Sequence, residues 1–154
     1  SIAMTMRAAL PSTRGWDVKI LATDIDTQVL QTAMGGVYSE KEAVGVPDAL
    51  MRRWFMRGKG AHAGSVRASK ELRDMIVFRQ LNLLGAWSVK KPFDFIFCRN
   101  VVIYFDKDTQ RKLFSRYADK LVPEGHLFIG HSESLYKVSE RFKLIGQTIY
   151  RKTD

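Results

Sequence analysis

The chain has 154 residues, 45% hydrophobic and 27% charged, and its 25 Lys and Arg against 16 Asp and Glu leave a net charge of +9. This ordinary composition excludes a disordered or fibrous chain, and a chain of this size buries roughly two thirds of its unfolded surface, enough for one core without metal or disulfide help. The longest strongly apolar run, Val101–Phe105, falls far short of the roughly 20 residues of a membrane span, and the single cysteine, Cys98, cannot form an internal disulfide.

A soluble protein of a reducing, cytoplasmic compartment is therefore expected. The opening Ser1–Arg7 has no basic leader before an apolar stretch and is not read as a secretory signal. Ile2, Met6, Ala9 and Leu10 recur at helical spacing, with a stop expected at Pro11. Val18–Thr23 reads as a short strand ending at Asp24, and Thr27–Met34 as a helix closed by Gly35-Gly36. Ser39-x-x-Glu42 is a capping box expected to open another short helix.

Trp54–Arg57, Ser65–Ser69 and Met75–Phe78 form three strand-like pieces, with Gly58-x-Gly60-x-x-x-Gly64 between the first two. No helical period separates those two, so they predict an antiparallel hairpin inserted at about 52–79. Between Arg52 and Arg79 eight basic residues meet two acidic ones, so most of the positive charge sits here. That suits a solvated basic face or a docking patch for an acidic partner; only Trp54, Phe55 and Phe78 interleave the charges, fewer aromatics than single-strand nucleic-acid binders use.

Phe93–Cys98 is a further apolar strand. Asp106 suits an N-cap, with Leu113, Phe114, Tyr117, Ala118 and Leu121 marking one helix face that ends at Pro123–Gly125. Leu127–Ile129 and Phe142–Tyr150 supply the last strands. Alternating helices and near-continuous apolar strands predict an α/β fold, a doubly wound parallel sheet covered by helices on both faces.

In such sheets ligands sit beyond the carboxyl ends of the strands. Asp24, after the first strand, suits a ribose diol or equally a turn and helix cap. Asn82 can pair with an adenine edge or close a turn. Arg99-Asn100 followed by Tyr104 can hold the polar end of a cofactor and offer a ring face to a cation. His131-Ser132-Glu133 reads as a polar strand exit. Other chemistries lack support. His131 and Ser132 are adjacent and no Gly-x-Ser-x-Gly elbow exists for a hydrolase triad. His62, His126 and His131 lack ligand spacing, so no metal is expected. No Gly-x-Gly-x-x-Gly follows a strand.

Ala22–Leu30, Phe93–Asp106 and Gly130-His-Ser-Glu133 together resemble the CheR family of chemotaxis methyltransferases, from Ser1 to about Lys152. The resemblance implies a Rossmann-like fold with a small inserted antiparallel β-subdomain, S-adenosyl-L-methionine as cofactor with S-adenosyl-L-homocysteine as product, and methyl transfer to glutamate side chains of chemoreceptors. It further implies that Asp24 holds the ribose, Asn82 and Leu83 the adenosine portion, and Arg99 with Asn100 the neighbourhood of the methionine moiety. Tyr104, with Arg99, would line the methyl-transfer site. Arg57, Gly58, Gly60 and Arg67 match members that bind an acidic, aromatic C-terminal receptor peptide as an added strand.

By the same resemblance the family's first sheet strand, its acidic glycine-containing loop and a helical domain belong before Ser1. The chain alone is then expected to bind the cofactor poorly, and a second function remains open: a receptor-peptide binding module without catalysis. Partners are the cytoplasmic domain and C-terminal peptide of the receptors, with neither nucleic acid nor membrane insertion expected.

Overall fold

A computed structural model describes residues 1–10 and 15–154, which divide into a first unit, Ser1–Asn82, and a second, Leu83–Asp154. The stop expected at Pro11 lies outside the described residues.

In the first unit, helix α1 (Ile2–Ala9) buries Ala3 and Met4 against Trp54, Leu72 and Met75. Strand β1 (Ile20–Asp24) runs parallel to β5 (Ile76–Gln80), with Ile20 opposite Ile76 and Asp24 opposite Gln80. Helix α2 (Thr27–Gly35) starts where the Asp26 carboxylate accepts from the Gln28 and Val29 amides and ends at Gly36, whose φ of +61° needs no Cβ.

Between these lie strands β2 (Val37–Ser39), β3 (Phe55–Arg57) and β4 (Ser65–Ala68), an antiparallel sheet in the order β2-β4-β3. The hairpin of the two pieces around Gly58 and Gly60 forms as expected. Its third strand is β2, whereas the Met75–Phe78 piece joins β5 beside β1. The capping box forms its reciprocal bonds, Ser39 N to Glu42 Oε2 at 2.8 Å and Glu42 N to Ser39 Oγ at 3.2 Å, yet residues 40–45 make only turns. Gly45 at φ +98° and then Pro47 stop propagation before a helix can repay its nucleation. Short helices α3 (Asp48–Trp54) and α4 (Lys70–Arg73) connect to β3 and β5.

In the second unit β6 (Phe93–Cys98) pairs in parallel with β7 (Leu121–Ile129), and β7 is followed in the sheet by β9 (Ile149–Lys152) and β8 (Phe142–Leu144). These last pairings are antiparallel, where parallel ones were expected, within an α/β arrangement of the expected class. The link 145–148 between β8 and β9 is far too short for a parallel crossover, which needs a dozen or more residues. Helix α5 (Lys107–Lys120) is capped by Asp106, whose carboxylate accepts from Thr109 N at 2.8 Å and is thereby held below its usual range. It ends at Lys120, not at Pro123–Gly125, and β7 begins at once. Those three residues form an irregularity within the strand, where Glu124 takes a φ of +62° and the β6 register shifts.

Leu113, Phe114, Tyr117 and Ala118 are buried with Leu127, Ile129 and Tyr150. The Tyr117 hydroxyl donates to Cys98 Sγ at 3.0 Å, and burial pushes the Cys98 thiol up, so this cysteine packs instead of attacking. On the opposite face Phe97 stacks on Phe128 at 4.3 Å. Among the described residues, β1 pairs with β5 alone and β6 with β7 alone, so each keeps one open edge. No described helix is long and apolar enough to cross a membrane.

Phe114 is fully buried, so Phe114→Ala is expected to cost about 3–5 kcal/mol in urea denaturation. A loss of surface size, about 0.5 kcal/mol, would contradict this core assignment.

Candidate functional site

In the first unit the ends of β1 and β5 lie side by side, because Leu81 N donates to the Asp24 carbonyl at 2.9 Å. This sets exposed Asp24 and exposed Asn82 at the same end of the parallel pair. The two readings of Asp24 separate here: Asp26 caps α2, while Asp24 Oδ1 accepts from Asp26 N at 3.0 Å and shapes the turn. Gln80 Nε2 donates to the Ile25 carbonyl at 2.9 Å and fixes the same turn from β5.

The second unit contains Leu83, Arg99, Asn100 and Tyr104. Leu83 packs against the core, and its carbonyl accepts from Trp87 Nε1 and Arg116. Arg99 and Asn100 are exposed at the exit of β6, with Asn100 at φ +59°, a left-handed conformation that Asn tolerates better than most residues. The next two amides, Val101 N and Val102 N, both donate to Glu133 Oε1 at 3.0 Å. Gly130 N, at the exit of β7, donates to Glu133 Oε2. A Cβ on Gly130 would lie 2.7 Å from Asn100 Oδ1, 2.8 Å from Glu133 Oε2 and 3.1 Å from Asn100 N, so a larger residue here would push both side chains aside.

Buried Gln110 of α5 donates to the Val102 carbonyl at 2.9 Å and the Phe105 carbonyl at 3.0 Å, holding the far side of the loop. Tyr104, in the 3₁₀ turn Val102–Tyr104, is 80% exposed. The structure thus brings Arg99 and Asn100 together with Gly130 and Glu133. Glu133 was read from sequence as part of a polar strand exit and of the family-like stretch Gly130–Glu133, with no role of its own, yet it is buried. An acid three residues after a glycine is the only cue, and it does not distinguish a buried acceptor from an exposed strand end.

The peptide-binding set divides. Arg57 lies opposite Val66 and Arg67 opposite Met56. Since side chains alternate along a strand, Arg57 and Arg67 point to opposite faces of the small sheet. Arg57 lines a cleft of about 260 Å³ with Val44, Asp48, Met51 and Val66. Arg67 Nε instead donates to the Gly35 carbonyl at 3.3 Å. Gly58 is required by its own hairpin, because a Cβ there would meet the His62 carbonyl oxygen at 1.9 Å; Gly60 turns the chain at φ +57°. Among the described residues no three His, Cys, Asp or Glu side chains converge as metal ligands.

Residues 1–151 match the family described as "CheR methyltransferase, SAM binding domain". The chain is 46% identical over 152 residues to "Chemotaxis protein methyltransferase" of Escherichia coli (strain K12), covering 97% of this chain and 52% of that protein. It is 48% identical over 153 residues to "Chemotaxis protein methyltransferase 2" of Pseudomonas aeruginosa, covering 97% and 54%. The chain therefore spans about half the length of the curated relatives it matches. Among solved structures, N-methyltransferase NodS from Bradyrhizobium japonicum WM9 aligns with a TM-score of 0.51 at 13% identity, over 88% of this chain and 74% of that one, a likeness of fold alone. With a match that runs through β1, the inserted sheet and every strand of the second unit, the chain belongs to the CheR methyltransferase family, within its SAM-binding domain.

Proposed function

We propose that this chain is the S-adenosylmethionine-binding domain of a protein-glutamate O-methyltransferase acting on the cytoplasmic domain of chemotaxis receptors. The reading is carried by 46% and 48% identity to two chemotaxis methyltransferases across 97% of the chain.

The strand exits fit such a cofactor. Asp24 presents an exposed carboxylate at the end of a parallel pair, suited to accept from both ribose hydroxyls, and Asn82 with Leu83 would hold the adenosine portion. Arg99 and Asn100, on a loop pressed against a glycine, would hold the methionine portion, where exposed main chain and a guanidinium suit its carboxylate and amine. The cofactor supplies a methyl group already activated on a sulfonium sulfur. The accepting glutamate is ionised at neutral pH, its reference pKa being about 4.3, so no residue of the chain need remove a proton. What the chain contributes is alignment and water exclusion. Exposed Tyr104 offers its ring for the second task and Arg99 its charge for orienting the acceptor.

The small basic sheet supports a receptor-peptide partner on the same chain. Strand β3 is an edge of the β2-β4-β3 order, open to an added strand, and Arg57 faces a cleft beside it that Val44, Met51 and Val66 line together with Glu40 and Asp48. An acidic and aromatic peptide would gain main-chain bonds from β3, charge pairing from Arg57 and a cleft for its ring. Arg67, on the central strand and the other face, would act only through the field of the basic segment.

Asp24→Ala in the enzyme carrying this domain is expected to weaken S-adenosylhomocysteine binding by about 1.5 to 3 kcal/mol, the worth of a charge-assisted contact covered by ligand; calorimetric titration of a folded variant with unchanged affinity would remove Asp24 from the site. For the peptide, Arg57→Ala should weaken binding by about 0.2–1 kcal/mol, as for exposed charge pairs, with an effect that fades as salt rises. Fluorescence titration in which Arg67→Ala weakened the peptide and Arg57→Ala did not would put the occupant on the opposite face.

A further inference from the structure

Three peptide N–H groups from two different strand exits converge on one side chain, Glu133, which is only 7% exposed. We infer that Glu133 is a positioning residue for the cofactor: its carboxylate locks the β6 exit, Arg99–Val102, onto the β7 exit at Gly130 and so sets where Arg99 and Asn100 stand. This inference rests on the methyltransferase reading above.

The chemistry selects a carboxylate. Oε1 accepts from Val101 N and Val102 N, both at 3.0 Å, and Oε2 accepts from Gly130 N. Both oxygens must therefore be acceptors. An ionised glutamate offers about four lone-pair sites and no donor, whereas a glutamine replaces one oxygen by an NH₂ group whose hydrogens would face an N–H. Among the described residues no Lys or Arg forms an ion pair with Glu133; peptide dipoles alone compensate the buried charge. A group held in this way loses its partners if the loop drifts, so loop position and carboxylate are mutually dependent. Asn100 at φ +59° and the absent Cβ of Gly130 are the backbone conditions under which the two exits meet. Gln110 secures the Val102 and Phe105 carbonyls on the other side, leaving Arg99 and Asn100 as the segment turned to solvent.

A merely structural role would make the same contacts, so the test separates stability from position. In the enzyme carrying this domain, Glu133→Gln is compared with Val138→Ala, which truncates the same core but takes no part in the three bonds to Glu133. Both are assayed at a temperature at which circular dichroism shows them folded. Glu133→Gln should raise the S-adenosylhomocysteine Kd and the cofactor KM by about tenfold to a hundredfold, the cost of misplacing a binding group by about an ångström, while the affinity for a receptor peptide at the β2-β4-β3 sheet stays within twofold of wild type, less than an exposed ion pair is worth. Val138→Ala should leave the cofactor constants unchanged. If Glu133→Gln does not fold, Glu133→Asp, which shortens the reach but keeps the charge, is carried through the same assays with the same expectation. Unchanged cofactor affinity in a folded Glu133 variant, or an equal loss in Val138→Ala, would overturn the positioning role. Failure of the wild-type enzyme to bind S-adenosylhomocysteine would instead overturn the reading on which it rests.

Discussion

A buried carboxylate is tolerated only when donors surround it, because leaving its charge uncompensated in a low-dielectric interior costs several kcal/mol. In this domain the donors around Glu133 are main-chain amides, and main chain cannot be supplied without dictating its path. Val101 and Val102 must turn their N–H groups inward immediately after β6 ends, which is what the left-handed Asn100 accomplishes. Gly130 must approach so closely that a single methyl group would collide with both Asn100 and Glu133. Downstream, the same path delivers the Val102 and Phe105 carbonyls to Gln110 and leads directly to the Asp106 cap of α5. One charge requirement thus fixes a strand exit, a turn and the start of a helix, and presents Arg99 and Asn100 outward from that frame.

The elements that a sequence reveals are those with a period and a cap. Strand β6 begins and ends where its apolar run does, and α5, capped by Asp106, buries Leu113, Phe114, Tyr117 and Ala118 as expected, since fourteen residues suffice to display a stripe, while Leu121 falls in β7. Strand β2 escaped notice because three exposed residues carry no alternation. The Ser39–Glu42 box shows that a cap without room to propagate yields turns. Pro123 and Gly125 look like punctuation between elements but lie inside β7, where the strand tolerates an irregularity at the register shift. The antiparallel β8 and β9 are too short to show a direction by pattern, and only the brevity of the link between them reveals it.

The same distinction holds at the candidate site. Asp24, Arg99 and Asn100 are legible because ligands favour strand ends and these are polar residues at the ends of apolar runs. Glu133 is not, because a buried acid and a surface acid are one letter. The Arg57 and Arg67 pair shows a different limit: whether two basic residues share a face depends on hairpin register, and the composition of the segment is silent about parity. Charge count suggested a single patch; pairing divides it between two faces.

If Glu133 fixes the loop after β6 for a methyl-donor cofactor, that loop must respond when the cofactor is bound. This is tested most directly by amide chemical-shift mapping of the enzyme carrying this domain as S-adenosylhomocysteine is added. Shifts should appear at Arg99–Val102 and, through Glu133, at Gly130. Shifts confined to the β2-β4-β3 sheet, or a saturable ligand that leaves the 99–102 amides unmoved, would contradict it.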